Sequence, residues 1–357
     1  MTNICIINGD MSKGGGTERI TKLLSDVLVK NTDFKVWVLN LHNETGKCFF
    51  PLEENVEFAL LPKGGIFSKI FNLWKFVRKN KIDILINVDI MIGIFSWPVS
   101  LFCPRLRTIS WEMFNIRNDI GSRHTKLLRQ IALNNSAYYI TQTKGDMEAF
   151  KNEMKVRCPI KYIYNPCIFD ETYVDYAKSS KTLVSAGHFF YAKGFDLTVD
   201  VAEKVFSRHP DWKWELYGDG GLKDEIYKKA EEKGLTDNLL FMGRTSEIEN
   251  VYKKSSMYVL TSRTEGFGLV LTEAKAVNLP TIAFDIDFGP REIIEDGKSG
   301  YLIAPFDIQK MADRICELIE DEDKRILFSQ HARDNLDKFS FEAFANEWYE
   351  IIKSITK

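Results

Sequence analysis

The chain has 357 residues, 45% of them hydrophobic and 27% charged, with a formal net charge of −2. That length exceeds what one hydrophobic core usually serves, so two domains are expected. The composition is that of an ordinary globular protein, and the near-neutral charge gives no field to attract nucleic acid.

Six cysteines (Cys5, Cys48, Cys103, Cys158, Cys167, Cys316) are scattered without CxxC spacing. They read as reduced thiols of a cytoplasmic protein rather than as a disulfide or zinc framework. The start "MTNICIING" has no basic leader region and turns polar within a few residues. The most apolar stretch, "ILINVDIMIGIFSWPVSLFC", is interrupted by Asp89 and Pro98. Neither part reaches the roughly 18 residues of a membrane span, so it reads as a buried strand followed by a helix.

In chain order, short apolar runs rich in β-branched residues recur with helical patterns between them. The first half holds "NICIIN", "KVWVLNL", "VEFALL", "DILINV", "LRTIS" and "AYYITQ"; the second holds "TLVSAG", "KWELYG", "NLLFMG", "MYVLTS" and "TIAFD". Most are apolar throughout, the pattern of strands covered on both faces. Strand and helix alternate in both halves, which predicts an α/β protein of two doubly wound, Rossmann-like domains facing across a cleft. The domains are expected over residues 1–168 and 180–338. They divide near "YNPCIFDETYVDYAKSSK", where Asn165-Pro166 breaks regular structure. The last segment, residues 339–357, shows helical spacing behind a Ser340 cap and is expected to pack back on the first domain.

Several segments carry chemistry. "INGDMSKGGGTERI" sets Gly14, Gly15 and Gly16 before a helix, whose free N–H groups would face the cleft. It has neither a Walker lysine nor dinucleotide GxGxxG spacing. "KGGIFSKIFNLWKFVRKNK", residues 63–81, holds six basic residues and no acid. Ile66, Ile70, Phe71, Leu73, Trp74 and Val77 recur there at helical spacing. Such a helix lies on an anionic membrane surface, with Lys69, Lys75, Arg78 and Lys79 near the lipid, or packs on the sheet with a solvated basic face. Further basic groups follow in "RLR", "RHTK" and "LLRQ". "DID", Asp285 to Asp287, offers two acids in a loop, too few to define a metal site.

"EGFGLVLTEA" places Glu265 and Glu273 eight positions apart around a glycine turn. A helix starting near Gly268 would present unpaired N–H groups and its dipole to a phosphate. Eight helical residues rise roughly 12 Å, about the span of a nucleotide sugar. Glu265 would then hold sugar hydroxyls and Glu273 the ribose. A solvated glutamate followed by an ordinary helical residue fits the same spacing.

The segment Met257 to Ile303, with this Glu-x7-Glu pattern and "GPREIIEDGKSGYLI" behind it, closely resembles the retaining GT-B glycosyltransferases of family four. The resemblance covers the C-terminal half and, more weakly, the N-terminal half. It implies that Glu265 contacts the donor sugar, Glu273 binds ribose, and the backbone along Gly266, Phe267, Gly268 and Leu269 holds sugar and diphosphate. It also implies that Lys193 in "SAGHFFYAKGFD" meets the diphosphate, with His188 standing where the family carries arginine. Gly218 in "LYGDGG" and Arg244 in "FMGRTS" would border the nucleotide, and Gly15 and Gly16 the sugar and acceptor. In "ISWEMFNIR", Glu112 stands in the family's Glu-His position, with Met113 replacing the histidine. Glu112 would orient the acceptor hydroxyl, or else pair with Arg117 or another basic residue.

The resulting expectation is a retaining, metal-independent glycosyltransferase, with Glu265, Lys193 and Glu112 as catalytic candidates. It would use no cofactor, taking a nucleotide-diphosphate sugar, UDP-linked, and a saccharide or lipid-linked acceptor. The enzyme would be cytoplasmic, peripheral at the inner face of the plasma membrane. A nucleotide-sugar epimerase of the same fold and a catalytically silent sugar-binding or scaffold protein are the alternatives.

Overall fold

The computed structural model describes residues 1–42, 45–118, 124–169 and 175–356. Its first strands are β1 (Thr2–Asn8), β2 (Phe34–Asn40), β3 (Val56–Leu60), β4 (Ile84–Val88), β5 (Arg107–Trp111), β6 (Tyr138–Thr141) and β7 (Ile160–Tyr162). They are followed by β8 (Thr182–Ala186), β9 (Lys213–Tyr217), β10 (Leu239–Gly243), β11 (Met257–Leu260), β12 (Thr281–Phe284) and β13 (Gly300–Ile303). Each apolar run forms a strand, because a fully covered strand can be apolar on both faces. β7 and β13 have no counterpart among those runs. β7 is three half-buried residues long, and β13 is four residues long, mostly buried, opening on a glycine, so neither makes an apolar run long enough to stand out.

The strands form two wholly parallel sheets. The first has the order β3-β2-β1-β4-β5-β6-β7 and the second β10-β9-β8-β11-β12-β13. In each, the chain steps outward from its first strand and then reverses. The reversal falls between β1 and β4 in one sheet and between β8 and β11 in the other. In open α/β sheets, ligands bind outside the carboxyl ends of the strands at such a switch point.

The chain divides into two compact units, Met1–Asn165 with Glu342–Lys357, and Pro166–Phe341. In the first, β1, β2 and β4 send Cys5, Ile7, Leu39 and Leu85 against Leu73 and Val77 of the helix Ile66–Lys79 and Val99 of the helix Gly93–Phe102. The final helix, Phe341–Thr356, packs on this unit. Its Trp348 ring lies edge-on to Trp111 at 4.8 Å, and the Tyr349 hydroxyl donates to the Val27 carbonyl at 2.6 Å. In the second unit the helices Phe195–Phe206 and Ile308–Glu320 contribute Val199 and Met311 to a core that includes Trp214 and Ile282 of the sheet.

Candidate active site

At the switch point of the second sheet, the loops leaving β8 and β11 are joined by charge. The Lys193 ammonium donates to both Glu265 oxygens, at 2.7 and 2.8 Å, and Ser262 Oγ donates to the same carboxylate at 2.6 Å. Arg263 ties the two loops together. Its guanidinium grips Asp196 through bonds of 2.7 and 2.6 Å, and its amide donates to the Ala192 carbonyl at 2.8 Å. The β9 loop closes against the same place. Gly218 has φ +137°, and a Cβ there would sit 1.8 Å from the Gly187 carbonyl oxygen, so only glycine fits.

The helix after β11 runs Leu269–Ala276, capped by Gly268 at φ +97°. Glu273 lies in its second turn and is buried, as is Glu265 before it. Phe267 sends its ring edge-on to Phe339 at 5.5 Å, which anchors the loop between the two glutamates. His188 is half-buried, its ring stacked on Phe190 at 5.6 Å. Arg244 is exposed just beyond Gly243, whose carbonyl accepts from the Gly218 amide at 2.8 Å. Asp285 is held by Arg291 through bonds of 2.7 and 2.8 Å, so its carboxylate already has a cation.

At the switch point of the first sheet, a cavity of about 930 Å³ opens over the carboxyl ends of β1 to β4. Asp10, His42, Pro62 and Asp89 line it from the strand ends, and Lys69 from the helix Ile66–Lys79. Asp89 has φ +96° and ψ 134°, a backbone conformation that a non-glycine residue seldom holds. Its carboxylate accepts from the Met91 amide at 2.8 Å, and burial pushes its pKa up to about 6.

Residues 174–335 match the model of the family glycosyl transferases group 1. An uncharacterized glycosyltransferase of Haemophilus influenzae is 28% identical over 350 residues, 96% of this chain and 98% of its own. The solved structure of TarM superposes with a TM-score of 0.85 at 17% identity, over 98% of both chains. The chain has the GT-B fold. The amylovoran biosynthesis glycosyltransferase AmsD of Erwinia amylovora is 26% identical over 99% of this chain and 100% of its own length. A poly(ribitol-phosphate) α-N-acetylglucosaminyltransferase of Staphylococcus aureus is 37% identical over 163 residues, 45% of this chain and 33% of its own.

Within this fold, Lys193 and Glu265 are in direct contact, and Gly266, Gly268, Leu269 and Glu273 follow on the same loop and helix. Gly218 and Arg244 leave neighbouring strand ends. Gly15, Gly16 and Glu112 belong to the first unit. Two expectations there need correction. The amide of Gly15 is not free for a ligand, because it donates to the Glu18 carboxylate at 3.0 Å. Glu112 is fully buried, accepting from Arg129 Nε and the Tyr139 hydroxyl, each at 2.8 Å, and from the Phe114 amide at 3.3 Å. Both its oxygens are engaged, so it holds the β5 and β6 ends together rather than meeting an acceptor. This is the ion-pair alternative, with Arg129 as the other basic residue in place of Arg117.

Two residues of the first unit escape sequence reasoning. Asp89 reads in sequence only as an interruption of an apolar run, and its backbone strain has no local signature. Lys69 reads as part of the basic outer face of its helix. It is 4% exposed, and with Leu73 and Val77 it forms the buried stripe at i, i+4 and i+8. That spacing is visible in the sequence.

Proposed function

We propose that the enzyme is a retaining, metal-independent transferase of family-four type. It moves a hexose or N-acetylhexosamine from a UDP-linked donor to a saccharide acceptor, lipid-linked, in the assembly of a surface polysaccharide. The observation that carries this is the Lys193–Glu265 pair at the switch point, immediately before a helix that opens on Gly268 and bears Glu273. Lys193 and the helix N-terminus would stabilise charge on the departing diphosphate, an electrostatic role. Glu265 would aim Lys193 and touch the sugar, and Glu273 would hold the ribose. The bond from the anomeric carbon to the phosphate oxygen breaks as the acceptor hydroxyl attacks the same face, and the leaving phosphate oxygen takes the hydroxyl proton. The names of relatives support this reading: AmsD is a glycosyltransferase of amylovoran biosynthesis, and a HepE structure from Anabaena, 19% identical with a TM-score of 0.82, is a complex with UDP-glucose.

The same proposal places the first unit against an anionic membrane. Phe67 is 88% and Phe102 75% exposed. With Phe71, Trp74 and Arg78 they border an open groove of about 430 Å³. Lys75 and Arg78 stand over the Phe71 and Trp74 rings at 4.8 and 5.1 Å, so cationic and apolar groups share one surface. Among the described residues no helix is long and apolar enough to cross a membrane.

The test is incubation with a panel of nucleotide-diphosphate sugars, scored for nucleotide release with and without saccharide acceptors. Products are then examined by NMR for the anomeric configuration. Acceptor-dependent release of UDP, an α-linked product from an α-linked donor, and activity that survives EDTA are expected. An inverted product, or loss in EDTA that manganese restores, overturns the retaining or metal-independent part.

A further inference from the structure

The first unit contains a buried cation, Lys69, that no anionic group among the described residues neutralises. Lys69 opens the inward stripe of its helix, where an apolar side chain is the ordinary occupant. Its Nζ lies 2.7 Å from His42 Nε2 and 5.8 Å from the centre of the Phe95 ring. Among the described residues no carboxylate stands within ion-pair distance of it. Burial pushes its ammonium below the ordinary lysine range. A buried ammonium without a counter-charge is costly, and an imidazole offers it one lone pair at most.

The acids around the same cavity are occupied differently. Asp10 accepts from the Ser12 amide and hydroxyl at 3.0 and 2.6 Å, Glu18 from the Gly15 amide, and Asp89 from the Met91 amide. Each of these acids has a local hydrogen-bond donor, whereas Lys69 has nothing anionic beside it among the described residues. Lys13 and Lys63, both exposed, add positive charge to the rim of the cavity.

We infer that this cavity seats the acceptor and that the acceptor carries an oxyanion, a phosphate ester or a carboxylate, bound by Lys69 together with His42. The inference rests on the transferase reading for the word acceptor, and on the cavity alone for the anion. The space, about 930 Å³, takes a sugar or polyol unit beside the charged group. In the bound state the oxyanion supplies Lys69 with a counter-charge that no described residue provides, and the His42 imidazole adds a hydrogen bond from the cavity wall. Asp89, in the same cavity, retains acceptor capacity for a hydroxyl of the same unit.

The experiment measures binding by calorimetry, without donor, for glycerol phosphate, glucuronate and uncharged glycerol. Wild-type protein is compared with Lys69→Met, Lys69→Arg and His42→Gln. Glycerol phosphate or glucuronate should bind the wild type at least about tenfold more tightly than glycerol, and whichever binds identifies the oxyanion. Lys69→Met should remove that preference, and Lys69→Arg should keep most of it. His42→Gln, at an exposed position, should weaken it severalfold. The thermal midpoint separates this from a structural role: Lys69→Met should not lower it, because methionine fills the same space without a desolvated charge. Wild-type protein that binds glycerol phosphate and glucuronate no better than glycerol overturns the inference. So does Lys69→Met that binds the anion as wild type does. Nucleotide release from the donor panel is read separately. A chain that binds the anion through Lys69 but transfers no sugar keeps the site and loses the transferase reading.

Discussion

Asp89 follows β4 in a backbone conformation seldom held by a residue with a side chain, and burial holds its carboxyl pKa at about 6, with Glu112 nearby pushing the same way. The unfolded chain takes up that proton near 3.8, the ordinary value. Between these values the folded state binds the proton more readily than the unfolded state, so the native advantage of the protonated form is lost as pH rises through about 6. Above that, the buried carboxylate costs up to about 3 kcal/mol. Asp89→Asn keeps the acceptor for Met91 and tolerates positive φ. It should raise the thermal midpoint at pH 8 and leave it nearly unchanged at pH 4. An equal shift at both, measured by calorimetry, would contradict the assignment of the effect to ionisation. A second prediction belongs to the donor site. Glu273→Gln should weaken UDP binding by the roughly 1.5–3 kcal/mol of a charge-assisted hydrogen bond, and Lys193→Ala should lower turnover at least about tenfold. A folded Glu273→Gln protein with unchanged UDP affinity removes the ribose assignment. Glu265 and Lys193 were legible because spacing and motif singled them out separately. Their contact was not, since 72 positions separate them and only the parallel pairing of β8 and β11 brings their loops together.

At the level of elements, the strands were readable because burial on both faces writes an uninterrupted apolar word. The helix Ile66–Lys79 was readable as a helix for the complementary reason, a periodic stripe. Its function was harder to read, because the period gives the buried stripe but not what a polar residue within it faces. Lys69 therefore drops out of the membrane argument, while Lys75, Arg78 and Lys79 remain on the exposed side. Near anionic lipid each contributes about 1 kcal/mol, and Phe67 and Phe102 add apolar burial. Lys75→Glu with Lys79→Glu should abolish co-sedimentation with anionic vesicles, and Phe67→Ser with Phe102→Ser should weaken it in high salt as well as low. The charge contribution should fall as salt shortens the Debye length from about 10 Å at 0.1 M to about 3 Å at 1 M. Equal pelleting of wild type and both double variants would leave the groove without a lipid partner.

For the whole molecule, the final helix makes the first unit depend on both ends of the chain. Phe344, Trp348, Ile351 and Ile352 are all buried, Trp348 stands on Trp111, and Lys161 Nζ meets the Glu347 carboxylate at 2.9 Å. Loss of one large buried side chain costs roughly 2–5 kcal/mol. Four such losses reach the roughly 5–15 kcal/mol that hold a typical domain together. The second unit has its own core and contains every candidate donor residue from His188 to Glu273. Ending the chain after Phe341 should therefore unfold the first unit and spare the second. Calorimetry should show one unfolding transition lost or moved far down in temperature and the other retained. UDP should still bind with an affinity close to that of the full chain, while the Lys69-dependent binding of glycerol phosphate or glucuronate should vanish. A shortened chain that keeps both transitions would mean that the Trp111–Trp348 packing is dispensable. One that loses both would mean that the second unit cannot stand without the first, and the two-unit description would have to be withdrawn as a statement about folding.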